Sequence, residues 1–362
     1  MGDDADPLLE ATMAALPPLL TALDALEQTG RHLHPPHIAE LAAMLAPFAE
    51  PLRAGREQFL DTAWPDHLEG FRTCVDEATE QALGALDKLA GAPQAANPTL
   101  SAYSAMGAAG RATAALYPVA FMLPPVNRYF IAANRRDDEA LLARLAASDP
   151  AAPEAGVIHG HNDSTQRGGF SLYVPEYYDA DVAYPLVVAL HGGSGHGRSF
   201  LWTWLRDARS RGVIVMTPTS LADTWGLHEP EPDTARLAAL VAEISDRWHV
   251  DPQRVLLTGM SDGGTFSYLA GLRDDAPYTH VAPIAASFHP LLLEGTDPGR
   301  LQELPIYLVH GALDWMFPVD VARLARETLT GAGAELEYRE LDDLSHTYPR
   351  EENQRILDWF LA

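Results

Sequence analysis

The chain has 362 residues, with 25 Lys and Arg against 50 Asp and Glu, a formal net charge of −25 when the histidines are neutral. That charge repels phosphate backbones and anionic headgroups, which argues against nucleic acid as a partner, and 47% apolar residues with seven tryptophans exclude a disordered chain. Cys74 is the one cysteine, so no intrachain disulfide can form and a cysteine-based zinc site is implausible.

The opening, Met1 to Asp6, is acidic, the wrong charge for the leading region of an export signal, and a cytoplasmic location is expected. The first apolar stretch after it is interrupted by Pro17 and Pro18. Residues 1–147 read as an all-α domain. Leu68, Phe71, Val75, Ala78, Ala82, Leu86 and Leu89 recur at spacings of three and four, one stripe of an amphipathic helix. Shorter runs at Leu19, Leu20, Leu23 and Leu26, and at Ile38, Leu41 and Leu45, keep the same period. The proline pairs at 17–18 and 35–36 predict helix starts, because proline fits a first turn and breaks an interior.

Residues 112–126 are almost wholly apolar, with Pro118, Pro124 and Pro125 among them. The segment is too short and too proline-broken to span a bilayer, which needs about 20 apolar residues. Stable membrane insertion is therefore not expected. A buried bundle helix, a subunit contact giving a homodimer, or a cap over a site all remain open for it.

The stretch 148–156, SDPAAPEAG, reads as a linker. Beyond it, over 157–362, short β-prone runs alternate with helical segments. Strands are predicted at 157–161, 170–174, 186–190, 213–217, 255–258, 281–286, 306–310 and 336–340. Helices are predicted at 198–210, 234–248 and 319–329. The central runs are continuously apolar, as parallel strands buried on both faces should be, so this part is α/β with a mostly parallel sheet.

Chemistry concentrates at the ends of these strands. Gly259-Met260-Ser261-Asp262-Gly263 is a G-x-S-x-G pentapeptide between the run 255–258 and a helical segment 265–272. Strand, sharp turn, helix is the setting in which a serine is lifted clear of a sheet, and the glycines let the turn close. A serine hydroxyl is a weak nucleophile without a base, and that base needs an orienting carboxylate. In this layout the acid and the histidine follow the serine in that order. Asp314, in His310-Gly311-Ala312-Leu313-Asp314, lies just past the strand 306–310. Asp320 falls in the next helix, and Asp342 and Asp343 crowd the histidine's own loop. His346 lies after the last strand and before the closing helix, 351–360. His289 and His310 read as pocket-lining or structural, and His191 as a brace for its loop.

Leu190-His191-Gly192-Gly193-Ser194-Gly195 directly follows the strand 186–190. Glycines there let backbone N–H groups approach a developing oxyanion, with Gly193 supplying one donor and Asp262 the other. A phosphate-cradling loop is disfavoured, since no G-K-[ST] occurs and the sole lysine, Lys88, lies in the other domain.

The runs LVVALHGGSG (186–195), VDPQRVLLTGMSDGG (250–264), LVHGALDWMFP (308–318) and LSHTYP (344–349) resemble the α/β-hydrolase superfamily, and within it the phospholipase/carboxylesterase and polyhydroxybutyrate-depolymerase-like esterases. The resemblance covers about 157–362 and none of the helical part. It implies an α/β-hydrolase fold, a Ser261–His346–Asp314 triad, an oxyanion hole at Gly193 and Asp262, and no metal or organic cofactor. Asp262 departs from the Gln or Ala usual after the serine, so its side chain is expected to tune the pocket.

The expected function is a serine carboxylesterase acting on small-molecule esters. Acyl-thioesterase or lysophospholipase chemistry is the alternative, and a non-catalytic binding protein on a hydrolase scaffold is the reading from a different class. Trp315, Phe288 and Trp225 are candidate pocket residues, equally able to pack beneath the loops. The HGHND stretch at 159–163 offers metal-ligating residue types but lacks further ligands, so no metal site is expected there.

Overall fold

The structure is a computed structural model that describes residues 6–362, and it divides into two units, one ending at Ile131 and the other spanning Ala132–Ala362. Each is built by its own logic.

The first unit is helical: α1 (Pro7–Arg31), α2 (Ile38–Asp61), α3 (Glu69–Gly91), α4 (Pro98–Leu116) and α5 (Pro124–Tyr129), with short 3-10 turns between them. The predicted stripe forms the inward face of α3, where Phe71, Val75, Ala78, Ala82, Leu86 and Leu89 are all buried. The proline expectation holds only at 35–36, where a 3-10 turn begins. Pro17 and Pro18 instead lie inside α1, which runs on through them. A helical proline has no N–H, so Pro18 leaves the carbonyl of Ala14 without its usual partner. Gly55 of α2 packs against that carbonyl, where a Cβ would stand 2.2 Å from the oxygen. The helix pair thus closes over the defect instead of breaking at it.

By length and composition α1 is apolar enough to cross a membrane, and here Ala15, Leu16, Leu19, Leu23 and Leu26 are buried. The apolar stretch 112–126 is divided among the end of α4, a 3-10 turn at Tyr117–Phe121 and the start of α5. Ala112, Leu116, Val119 and Val126 are buried there.

The second unit begins ahead of the predicted linker. Helix α6 (Glu139–Ala147), capped by Asp138, belongs to it: the Arg144 guanidinium lies 4.4 Å over the Tyr177 ring. The Ala132 N–H donates to Ser210 Oγ at 2.8 Å. The stretch read as a linker is tied down as well, since the Trp248 indole N–H donates to the carbonyl of Glu154 at 2.8 Å. A Pro- and Ala-rich composition marks irregular backbone, and these side-chain contacts anchor it to one unit.

Eight strands form one sheet: β1 (Gly156–Gly160), β2 (Phe170–Val174), β3 (Tyr184–Leu190), β4 (Ile214–Pro218), β5 (Val250–Met260), β6 (His280–Ile284), β7 (Ile306–Gly311) and β8 (Leu336–Leu341), in the order β1-β2-β4-β3-β5-β6-β7-β8. The β1–β2 and β2–β4 pairs are antiparallel and all others parallel. Strands β2, β3, β4 and β7 are buried along their whole length, which explains their mostly apolar sequences. The helices are α7 (Gly197–Phe200), α8 (Leu205–Arg211), α9 (Glu231–Arg247), α10 (Asp262–Gly271), α11 (Pro298–Glu303), α12 (Val319–Gly331) and α13 (Glu352–Phe360). The single helix expected over 198–210 is two, α7 and α8, joined by a 3-10 turn at Leu201–Thr203.

One charged pair is sealed inside this unit. Arg209 Nε donates to Glu176 Oε1 at 2.8 Å with both side chains buried, and the Tyr173 hydroxyl donates to Glu176 Oε2 at 2.7 Å. Breaking such a pair strands a charge, so either partner alone is costly to replace.

Candidate active site

Three parallel strands deliver the site. β5 ends at Met260, and Ser261 follows with φ 56° and ψ −120°, a conformation that few side-chain-bearing residues adopt. The strain is held from outside: the Ser261 N–H donates to Ile284 O on β6 at 2.9 Å, and the Thr265 N–H to Ser261 O at 2.8 Å. The flanking glycines are required by contact. A Cβ on Gly259 would lie 2.5 Å from the Gly263 carbonyl, and one on Gly263 would lie 2.5 Å from the carbonyl oxygens of both Leu190 and His191. Only a bare backbone lets α10 start this close to the end of β3.

His346 Nδ1 stands 2.8 Å from Asp314 Oδ2, and its Nε2 stands 2.9 Å from Ser261 Oγ. An ionised carboxylate only accepts, so Nδ1 carries the proton and donates to Asp314. Nε2 is then the lone-pair nitrogen that accepts from the serine hydroxyl. All three side chains are buried. The sequence-predicted serine, acid and base therefore meet, although they come from turns after β5, β7 and β8.

The loops that carry Asp314 and His346 are bolted together by backbone. The Leu313 N–H donates to Leu344 O at 2.9 Å and the Ala312 N–H to Leu341 O at 2.9 Å. Gly311 admits this approach, since a Cβ there would be 2.2 Å from Leu344 O. Asp314 Oδ1 accepts from the N–H groups of Met316 and Phe317 at 2.9 and 2.8 Å, which fixes the carboxylate and leaves Oδ2 for the imidazole. Phe317 packs edge-on against His346, with ring centroids 5.3 Å apart.

The loop after β3 lies beside the serine. A Cβ on Gly192 would meet Ser261 Cβ at 3.4 Å, and one on Gly193 would meet Asp262 Oδ2 at 2.8 Å. Asp262 is the first residue of α10, whose leading N–H has no partner within the helix. Its carboxylate accepts from the Thr224 hydroxyl at 2.6 Å, so the unusual residue after the serine is engaged by the neighbouring loop.

Several residues that shape this loop carry no motif. Arg167 donates to Gly195 O at 2.7 Å, to Ala222 O at 2.9 Å and to Ser220 Oγ at 2.8 Å, joining the glycine loop to the loop after β4. Asp233, in the first turn of α9, accepts from the N–H groups of Leu221 and Gly226 at 3.0 and 2.8 Å. Its acidic position at a helix start is the only sequence signal it gives. His191 Nε2 accepts from the Ser220 N–H at 3.1 Å, so Nδ1 is the protonated nitrogen, 2.7 Å from Gly192 O. Burial pushes the His191 pKa down to about 4.

The pocket candidates divide. Trp225 is buried, gives its indole N–H to His191 O at 2.8 Å and stacks on Phe266, so it braces the loop from beneath. Phe288 is buried edge-on against Tyr268. Both side chains belong to the hydrophobic core of the unit, in keeping with the packing alternative left open for them. Trp315 is 45% exposed, with its ring centroid 6.5 Å from that of His346. His289 caps a short 3-10 turn, and His310 is fully buried next to Asp314. In the 159–163 stretch, His159 Nδ1 is 2.8 Å from Ser171 Oγ, and Asn162 bonds Ser171 and Thr219. Among the described residues no group of three or more His, Cys, Asp or Glu is arranged to hold a metal ion.

Residues 233–361 match the phospholipase/carboxylesterase family. Feruloyl esterase C from Emericella nidulans is 27% identical over 158 residues, 42% of this chain and 56% of its own. Acyl-protein thioesterase 1 from Gibberella zeae is 26% identical over 110 residues, 29% of this chain and 46% of its own. The chain thus spans about half the length of the curated relatives it matches. Among solved structures, a thermostable esterase aligns with a TM-score of 0.47 at 21% identity, over 57% of this chain and 62% of its own. With a mostly parallel eight-stranded sheet and a strained serine between β5 and α10, the second unit has the layout of an α/β-hydrolase fold, and over 233–361 it is similar to the phospholipase/carboxylesterases.

Proposed function

We propose that the protein is a serine carboxylesterase in which Ser261 is the nucleophile, His346 the general base and acid, and Asp314 the residue that orients and charge-stabilises the imidazole. The observation that carries this reading is the unbroken chain of hydrogen bonds from Asp314 Oδ2 through His346 to Ser261 Oγ. The match to the phospholipase/carboxylesterase family supports it.

In the first half-reaction the Ser261 hydroxyl proton passes to His346 Nε2 as Oγ bonds to the ester carbonyl carbon. The carbonyl oxygen becomes an oxyanion that accepts from the backbone N–H groups of Gly193 and Asp262, the latter at the positive end of α10. The bond from carbonyl carbon to alcohol oxygen then breaks, and Nε2 returns the proton to that oxygen as the alcohol leaves. Water attacks the acyl-serine with His346 again as base, releasing the acid and restoring the serine. Losing one oxyanion donor in such a site costs about 3 kcal/mol of transition-state stabilisation.

Hydrolysis of p-nitrophenyl esters from acetate to palmitate, by wild type and Ser261→Ala in parallel, tests the reading. Turnover that vanishes in the variant is the expected result. Ester turnover that survives the substitution removes Ser261 from its role, and a folded wild type that cleaves none of the series returns the scaffold to the non-catalytic reading. A thioester substrate belongs in the same assay, because the likeness to an acyl-protein thioesterase favours that second reading and the same triad serves it.

A further inference from the structure

The loop that carries Asp314 is held almost entirely by backbone and by the Asp314 carboxylate, yet it turns large apolar side chains to solvent. Twelve large hydrophobic residues are exposed among the described residues, and three of them, Leu313, Trp315 and Met316, fall within this one turn. Trp315 is also the one exposed tryptophan of the seven. The turn does not need these side chains for its own shape. Leu313 and Asp314 are fixed through their N–H groups, Met316 and Phe317 through theirs, and the Phe317 carbonyl through His310. An exposed indole costs the folded protein hydration free energy, which contact with a substrate recovers.

The chemistry of the site decides which part of a substrate lies there. In acylation the proton on His346 Nε2 must reach the alcohol oxygen, so the alcohol departs beside the imidazole and not beside Gly193 and Asp262, where the carbonyl oxygen is held. Trp315 flanks that imidazole, with ring centroids 6.5 Å apart and planes at 78°. We infer that Trp315, with Leu313 and Met316 beside it, is the platform for the leaving alcohol, and that the preferred substrates are esters of ring-bearing alcohols, aryl or pyranose, that lay a flat apolar face on the indole. This rests on the serine esterase reading and gives the candidate pocket residue Trp315 a place on the alcohol side.

The test uses the full chain and a series with a constant acetyl group: ethyl acetate, benzyl acetate and a methyl glucoside acetylated at its primary hydroxyl. A second series keeps ethanol and lengthens the acyl chain. The quantity read is the ratio of kcat/KM for each ring alcohol to that for ethyl. Trp315→Ala is expected to lower that ratio about tenfold, mostly through KM, with Trp315→Phe restoring much of it for benzyl. The benzyl and glucoside arms separate an aryl from a pyranose alcohol. A ratio equal in wild type and Trp315→Ala, or a change that appears in the acyl series instead, overturns the inference and leaves the esterase reading standing. Esters left uncut by wild type, or cut equally by Ser261→Ala, overturn both. Trp315→Leu guards against misreading a folding defect, since it keeps apolar bulk and removes only the flat face.

Discussion

The imidazole of His310 lies 3.6 Å from the carboxylate of Asp314 while it donates from Nε2 to the carbonyl of Phe317 at 2.8 Å. Phe317 in turn gives its N–H to Asp314 Oδ1 at 2.8 Å. His310 therefore clips the far end of the turn that aims Asp314 at His346. Burial depresses its pKa, outweighing the opposing pull of the Phe317 carbonyl and of Asp314, so it serves as a neutral donor.

His310→Ala should leave the Phe317 carbonyl unpaired at a cost of about 1–3 kcal/mol in stability. It should also lower kcat roughly tenfold with little change in KM, because the carboxylate is then less well placed. Thermal melting and steady-state kinetics check both effects. A variant that loses stability and keeps kcat would make His310 a packing residue only.

Asp314→Asn replaces an acceptor by a group that can present a donor to His346 Nδ1. The ring is then held in the wrong tautomer, and kcat should fall by about 10³–10⁴ with the fold retained. Ester kinetics beside a circular dichroism melt give the answer. A loss below tenfold would mean that another carboxylate orients the ring.

Gly263→Ala forces a methyl to within 2.5 Å of two carbonyl oxygens at the end of β3. The turn must shift, at a cost of about 2–3 kcal/mol, and Ser261 moves with it. Gly84→Ala in α3, where a Cβ meets nothing within 4 Å, should be neutral or stabilising. Paired melting curves distinguish a local clash from a general intolerance of alanine.

The buried His191 makes stability depend on pH in one direction. At neutral pH and above its ring is uncharged in both folded and unfolded chains, so pH has little leverage through it. As pH falls through 6.5 the unfolded chain takes up a proton that the folded protein refuses until about 4. Stability is lost across that window and the loss levels off below it, amounting to about 3 kcal/mol. Urea unfolding of wild type and His191→Gln at several pH values should show the variant losing less between pH 6.5 and 4. Parallel curves would remove His191 as the cause.

The parts of the second unit dictated by local rules were the legible ones. The predicted strand 170–174 matches β2 in both bounds, because its residues are apolar apart from Ser171 and it stops before Pro175. β5 runs from Val250, well before its predicted start at Val255. Its first half is polar and half-buried, and carries no apolar run. Ser261, Asp314 and His346 could be picked out because each stands at a strand end, where chain order narrows the candidates. Arg167 and Thr224 could not, since their partners lie 28 to 55 residues away for Arg167 and 38 residues away for Thr224. Tertiary contact also overrode local preference at Pro17 and Pro18, where α2 covers the carbonyl that a proline would otherwise expose.

The sheet order has a consequence for how activity would be lost on heating. β8 has a neighbour on one side only, and its residues are at most half-buried, whereas β5 lies between two parallel partners. His346 hangs just past that edge strand and Ser261 just past the interior one. Fraying at the margin withdraws His346 while Ser261 is still locked in its turn, since marginal segments open at lower free energy than the interior. Inactivation should therefore run ahead of the melting of the sheet. It should also reverse on cooling, because the frayed strand has an intact β7 on which to re-form.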